Sequence, residues 1–164
     1  MPTNLTSLMK WINSFKETKE TLKILRERGG QNFIFTHRTV ESTWNLLKRD
    51  GLETMITDII GSDSKFPRKP DPSAIQYFIE KYHLDAEKTV MIGDRKLDID
   101  AGNNAGVQTV FFDLDYFKQN ICATYFINNL KEMVQIFWPE SYNWDKEIVG
   151  RIDNNRNIKN YILN

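Results

Sequence analysis

The segment from Thr89 to Gly106, TVMIGDRKLDIDAGNNAG, constrains the fold more than any other part of the chain. Its apolar run Val90-Met91-Ile92 predicts a strand buried on both faces, ending at Gly93. Asp94 then stands at the strand's carboxyl end, and Asp98 follows where a helix is expected to begin. Strands of this kind belong to parallel sheets covered by helices, and such sheets bind ligands beyond their strands' carboxyl ends. Two carboxylates converging there suit Mg²⁺, a hard cation that takes oxygen ligands and keeps water or substrate phosphate in its shell.

The rest of the chain repeats the alternation. Residues 17–28 place Leu22 and Leu25 on one helical face, and Gly29-Gly30 supplies the stop. Phe33-Ile34-Phe35 predicts a short buried strand ending at Thr36, and residues 41–48 a helix with Trp44, Leu46 and Leu47 inward. A second short strand is expected over 55–60, and Pro67, Pro70 and Pro72 mark a stiff loop. Residues 73–82 predict a helix turning Ile75, Phe78 and Ile79 inward. After the Val90–Ile92 strand come a helix through Asn104, a strand over 109–112 and a helix over 127–137. Strands separated by helices imply parallel pairing through right-handed crossovers.

This reading gives a lead-in or cap remnant over 1–16, a core over 17–138 and a polar appendage over 139–164. The expected fold class is α/β: a Rossmann-like three-layer sandwich with a mainly parallel sheet. With 164 residues the chain is long enough to bury one core. Lys plus Arg and Asp plus Glu each number 22, so no general electrostatic attraction to nucleic acid or anionic membrane is expected. A single cysteine, Cys122, excludes an internal disulfide and fits a reducing cytoplasm. No apolar run approaches the roughly 20 residues of a membrane span.

Three strand ends carry polar groups toward one edge of the sheet. Thr36, in FIFTHR, is suited to hold a phosphate oxygen with nearby backbone N–H groups; its other reading is a helix N-cap. Lys69, in FPRKPDP, is bracketed by prolines and can neutralise both a phosphate and a carboxylate; its other reading is a solvated turn lysine. The third is the Asp94 and Asp98 pair, otherwise a turn aspartate and an N-cap. His37 and Arg38, just past Thr36, are candidates for touching a substrate or for a solvated helix start.

Taken together, FIFTHR, RKPDPSAIQYFIEKY and VMIGDRKLDIDAGNNAG resemble the second, third and fourth motifs of the haloacid dehalogenase superfamily, in its phosphoglycolate phosphatase-like branch. The resemblance implies hydrolysis of a small phosphate monoester through an aspartyl-phosphate. It casts Thr36 and Lys69 as phosphate-binding, Lys69 as catalytic, Asp94 and Asp98 as Mg²⁺ ligands, and a small phosphorylated metabolite as partner. The family's first motif, an apolar strand followed by D-x-D-G-T, has no counterpart before Thr36, where the acidic residues are Glu17, Glu20 and Glu27. Two later stretches imitate it. Asp113-Leu114-Asp115 would need a circularly permuted order and is followed by bulky Tyr116-Phe117; residues 148–153 are followed by Asn154-Asn155.

The resemblance places the nucleophile strand at the centre of the sheet, so its loss would leave two strand edges unpaired, which invites self-association. The missing strand therefore comes from elsewhere, the sheet re-pairs, or the chain is a piece of a longer reading frame. The expected cap is absent or vestigial. The expectation for the chain alone is little or no turnover, and the competing reading is a catalytically silent binding or regulatory module.

Overall fold

The computed structural model describes residues 15–112, 120–137 and 158–164. Helix α1 (Phe15–Glu27) leads into strand β1 (Gln31–Phe35), and α2 (Val40–Arg49) into β2 (Asp58–Ile60). Then come α3 (Ser73–Lys81), β3 (Thr89–Gly93), α4 (Lys96–Asn104), β4 (Gln108–Phe112), β5 (Tyr125–Ile127), α5 (Lys131–Phe137) and β6 (Asn160–Leu163). Short 3₁₀ turns at Glu53–Met55 and Ala86–Lys88 precede β2 and β3.

Local chemistry explains the main boundaries. Gly29 takes a left-handed φ of 83° past the end of α1, and the Gly30 amide bonds the Leu25 carbonyl at 2.9 Å. At the start of α2 the capping side chain is Thr39, whose hydroxyl accepts from the Ser42 amide at 3.2 Å. Two expected elements are shorter than their patterns suggested. Met55 lies in a 3₁₀ turn, where its carbonyl accepts from Asn32 Nδ2 at 3.1 Å, so β2 is confined to Asp58–Ile60. Ile127 ends a strand rather than starting a helix. Asn129 Oδ1 accepts from the Lys131 amide at 2.9 Å and Glu132 Oε2 accepts from Asn128, so α5 starts only at Lys131.

All described strand pairings are parallel, and the spatial order is β2-β1-β6-β3-β4-β5. The last strand in the chain is therefore an inner strand of the sheet. Gln31 of β1 pairs with Asn160 and Ile34 with Leu163, while Thr89 of β3 pairs with Asn160 and Ile92 with Leu163. Pairing extends beyond β6 at both ends. The Lys159 carbonyl accepts from the Gln31 amide at 2.7 Å, and the Asn164 amide donates to the Ile92 carbonyl at 3.1 Å.

The period of two in a strand sorts β6 between two cores. Tyr161 and Leu163 join Ile34, Val90, Ile92 and Val110 on the face covered by α1, α2 and α5. Ile162 joins Phe33, Phe35 and Met91 on the face covered by α3 and α4. These are the three layers expected of a Rossmann-like fold. Tyr161 is completely buried, with its ring 6.0 Å from that of Phe137 and its hydroxyl donating to the Ile158 carbonyl at 3.0 Å.

The expectation of a polar appendage over 139–164 is corrected for its final residues: 160–163 are core, because Tyr161-Ile162-Leu163 fills the gap between β1 and β3. The two inner edges that suggested self-association are paired to this strand. Of the expected lead-in or cap remnant over 1–16, residues 15 and 16 belong to α1, and residues 1–14, the Asp113 and Asp115 stretch, and residues 148–153 lie outside the described residues. No described helix is long and apolar enough to cross a membrane.

Candidate active site

The carboxyl ends of β1, β2, β6 and β3 lie along one edge of the sheet, and a cleft of about 470 Å³ opens at the ends of β1, β2 and β3. Its lining includes Thr36 and His37 after β1, Gly61 and Ser62 after β2, Arg68 and Lys69 from the proline-rich loop, and Arg95 after β3. Thr36, His37 and Lys69 thus line the same cleft. Thr36 is buried; its amide donates to the Ile60 carbonyl at 3.0 Å and its hydroxyl accepts from the Arg38 amide at 3.3 Å. It is not the cap of α2, which is Thr39. Arg38 turns back along α2, with Nη1 3.4 Å from Ser42 Oγ.

Lys69 lies at the floor of this cleft. Its ammonium is 2.8 Å from Asp98 Oδ1, with both side chains fully buried. It also donates to the Phe35 carbonyl at 3.1 Å and to Asn164 Oδ1 at 2.5 Å, and it sits 4.8 Å from the centroid of the Phe35 ring. Burial pushes the Lys69 ammonium below its usual range, and the Asp98 carboxylate opposes that shift. Asp94 is within electrostatic reach of Lys69, which it also favours in the charged form.

Asp98 is held in place from three sides. Its Oδ1 faces Lys69, and its Oδ2 accepts from the Arg95 amide at 3.1 Å and from Asn164 Nδ2 at 2.8 Å. Gly93 makes this possible: a Cβ there would fall 2.2 Å from Asp98 Cβ, so any side chain would evict Asp98. The glycine of the GDxxxD pattern thus lets the first turn of α4 pack against the end of β3.

Sequence reasoning missed Asn164. It follows β6, and its amide bridges the two buried charges, accepting from Lys69 and donating to Asp98. The only available signal was the apolar triplet Tyr161-Ile162-Leu163 ending at Asn164, which matches the other strand-plus-polar-residue patterns.

The electrostatics of the cleft favour an anion. Desolvation lowers the His37 pKa from its ordinary 6.5, and Lys69, Arg95 and Arg68 lower it further. Four basic side chains at one strand edge make a field suited to a phosphate dianion. The described residues complete no Mg²⁺ site. Asp98 Oδ2 accepts two hydrogen bonds and Oδ1 faces the Lys69 ammonium, and no group of three His, Cys, Asp or Glu among the described residues could hold a metal ion.

Removing the charge of Asp98 tests this arrangement. Asp98→Asn leaves a buried ammonium without its counter-charge, and is expected to lower the unfolding free energy by about 3–5 kcal/mol in urea denaturation. A loss below about 1 kcal/mol would mean that Lys69 does not depend on Asp98.

The geometry agrees with what known proteins show. The family described as haloacid dehalogenase-like hydrolase matches residues 3–112. The phosphoglycolate phosphatase of Vibrio cholerae serotype O1 is 34% identical over 107 residues, which are 65% of this chain and 46% of the relative. The chain spans about half the length of the curated relatives it matches. A HAD phosphatase from Thermococcus onnurineus superposes with a TM-score of 0.70 at 26% identity, covering 76% of this chain and 58% of that one. The core domain of a putative phosphoglycolate phosphatase from Streptococcus pneumoniae TIGR4 superposes with a TM-score of 0.62 at 35% identity, covering 72% and 82%. The family match ends at Phe112, so β6 lies outside it. With its parallel three-layer fold and its motif residues gathered at one sheet edge, the chain belongs to the haloacid dehalogenase-like hydrolase family.

Proposed function

We propose that this domain binds a small phosphate monoester in the cleft at the ends of β1, β2 and β3, and that the described residues hold it without turning it over. The observation that carries the reading is the collection of Thr36, His37, Arg68, Lys69 and Arg95 around one cleft. The Thr36 hydroxyl and nearby backbone N–H groups are assigned to phosphate oxygens. Arg68 and Arg95 supply charge at the rim, and Lys69 supplies it from the floor. Phosphoglycolate, which gives the relatives their name, has the size and charge for such a cleft.

The absence of turnover follows from what stands at the described strand ends. Hydrolysis in the family that the chain resembles runs through a carboxylate nucleophile on the central strand. The residue that follows β6 is an amide, Asn164, and amides do not attack phosphorus as ionised carboxylates do. Asp98 is committed to Lys69. Asp94 is the residue proposed to meet an Mg²⁺ ion arriving with a phosphate; no step is assigned to that ion, since the described residues do not complete its shell. Cys122, an exposed free thiol, fits a cytoplasmic setting.

Phosphate binding is tested at His37. A bound dianion favours the imidazolium, so saturating inorganic phosphate is expected to raise the His37 pKa in an NMR pH titration from its depressed starting value. An unchanged titration curve would contradict the proposed site. Turnover is tested with an aryl phosphate and Mg²⁺, comparing the wild type with Asp113→Asn and Asp94→Asn. The expected result is no measurable hydrolysis in any of the three. Clear hydrolysis lost in Asp113→Asn would establish a permuted nucleophile and overturn the reading, as would hydrolysis lost only in Asp94→Asn.

A further inference from the structure

A phosphate accounts for only part of the cleft. The ion is a few times the size of a water molecule, whose share of liquid volume is about 30 Å³, so it fills a fraction of about 470 Å³. Its oxygens take Thr36 and the basic groups. The lining that remains is Phe35, Phe66, Pro67 and Leu97, with the small Gly61 and Ser62.

Two of these side chains are placed where a ligand can use them. Lys65 takes a left-handed φ of 61°, and the next residue, Phe66, sets its ring 5.0 Å from that of Tyr77 on α3. Phe66 is thereby held against the core beneath α3 while it lines the cleft. Leu97 stands in the first turn of α4, beside the buried Asp98, and is 40% exposed. A single exposed leucine is ordinary on a protein surface. This one shares a concave lining with Phe66 and Pro67, where a bound apolar group would remove it from water.

The charges of the cleft limit what else a ligand can carry. Lys69 is matched by Asp98 at 2.8 Å and offset further by Asp94. Burial and the surrounding cations hold the His37 pKa below 6.5, so the empty cleft has a neutral imidazole above that pH. Among the described residues no carboxylate is ion-paired with Arg68 or Arg95. Two guanidinium groups balance one phosphate dianion and leave no cation for a second anionic group.

We infer that the cleft takes a phosphate monoester whose ester group is uncharged and apolar, such as an aryl phosphate, with that group packed against Phe66 and Leu97. This rests on the phosphate-binding reading and names the class of ester. Phosphoglycolate enters the same cleft but ranks lower. Its carboxylate would exchange water for apolar side chains with no third cation to meet it.

The test is calorimetric titration of phenyl phosphate, methyl phosphate, phosphoglycolate and inorganic phosphate at about pH 8, without Mg²⁺. With a second pKa of about 6, each phosphate group is then a dianion, so the ligands differ in what the phosphate carries. Phenyl phosphate is expected to bind about tenfold more tightly than methyl phosphate or phosphoglycolate. Leu97→Ser is expected to narrow the ratio of phenyl to methyl phosphate affinity to about threefold. Phe126→Ser removes a comparably exposed ring from β5, outside the cleft lining, and is expected to keep the full ratio. Leu97→Lys adds the missing cation and is expected to move phosphoglycolate above phenyl phosphate.

Equal wild-type affinity for phenyl and methyl phosphate, or tightest binding of phosphoglycolate, overturns the inference and leaves the phosphate-binding reading standing. A folded Leu97→Ser that keeps the full ratio does the same. Binding of none of the four ligands overturns both. If Leu97→Ser does not fold, the wild-type ranking decides.

Discussion

A parallel strand inside a sheet has no water to satisfy its backbone, so each N–H and C=O must find a neighbour on one side or the other. Between β1 and β3 that requirement is met by Asn160–Leu163. The rest of the domain depends on this pairing. Without it, β1 with β2 and β3 with β4 would be two small sheets with open inner edges, and neither core would close. Tyr161 and Ile162 bury completely on opposite faces, each contributing on the order of 2 kcal/mol of apolar burial. The two cores are thus joined through a strand that arrives last in the chain.

That strand also sets the chemistry of the site. Its end delivers Asn164 between Lys69 and Asp98, where a carboxylate would make a group of two negative charges around one ammonium. An amide accepts from the cation and donates to the anion, bridging the pair without adding a charge. The excess positive charge that faces the cleft then comes from Arg68, Arg95 and their neighbours.

Much of this was legible in the sequence where strand and function share one short pattern. Phe33-Ile34-Phe35 leading to Thr36, and Val90-Met91-Ile92 leading to Gly93-Asp94, announce both a buried parallel strand and the polar residue it delivers. Gly93 was readable as the strand's end, but not as the space Asp98 needs, which only the packing of α4 on β3 reveals. Lys69 was legible only through its prolines and the resemblance; its burial was not, because the ion pair with Asp98 closes over 28 intervening positions. Strand β6 escaped notice for a physical reason. Three apolar residues flanked by Asn and Lys carry little local signal, and the stretch gains its place only by pairing with partners more than 60 residues away. Ile127 misled in the other direction: its apolar neighbours fit helical spacing, while Asn128-Asn129 end the strand and delay the helix.

The central claim is that residues 160–163 are the inner strand of the folded sheet. Native-state hydrogen exchange measures it directly, since the amides of an inner strand open only with the whole domain. The account predicts that the Tyr161, Ile162 and Leu163 amides exchange as slowly as the Val90–Ile92 amides of β3, with the same dependence on urea. Exchange of the three at rates near those of an unfolded chain, while β3 stays protected, would contradict it.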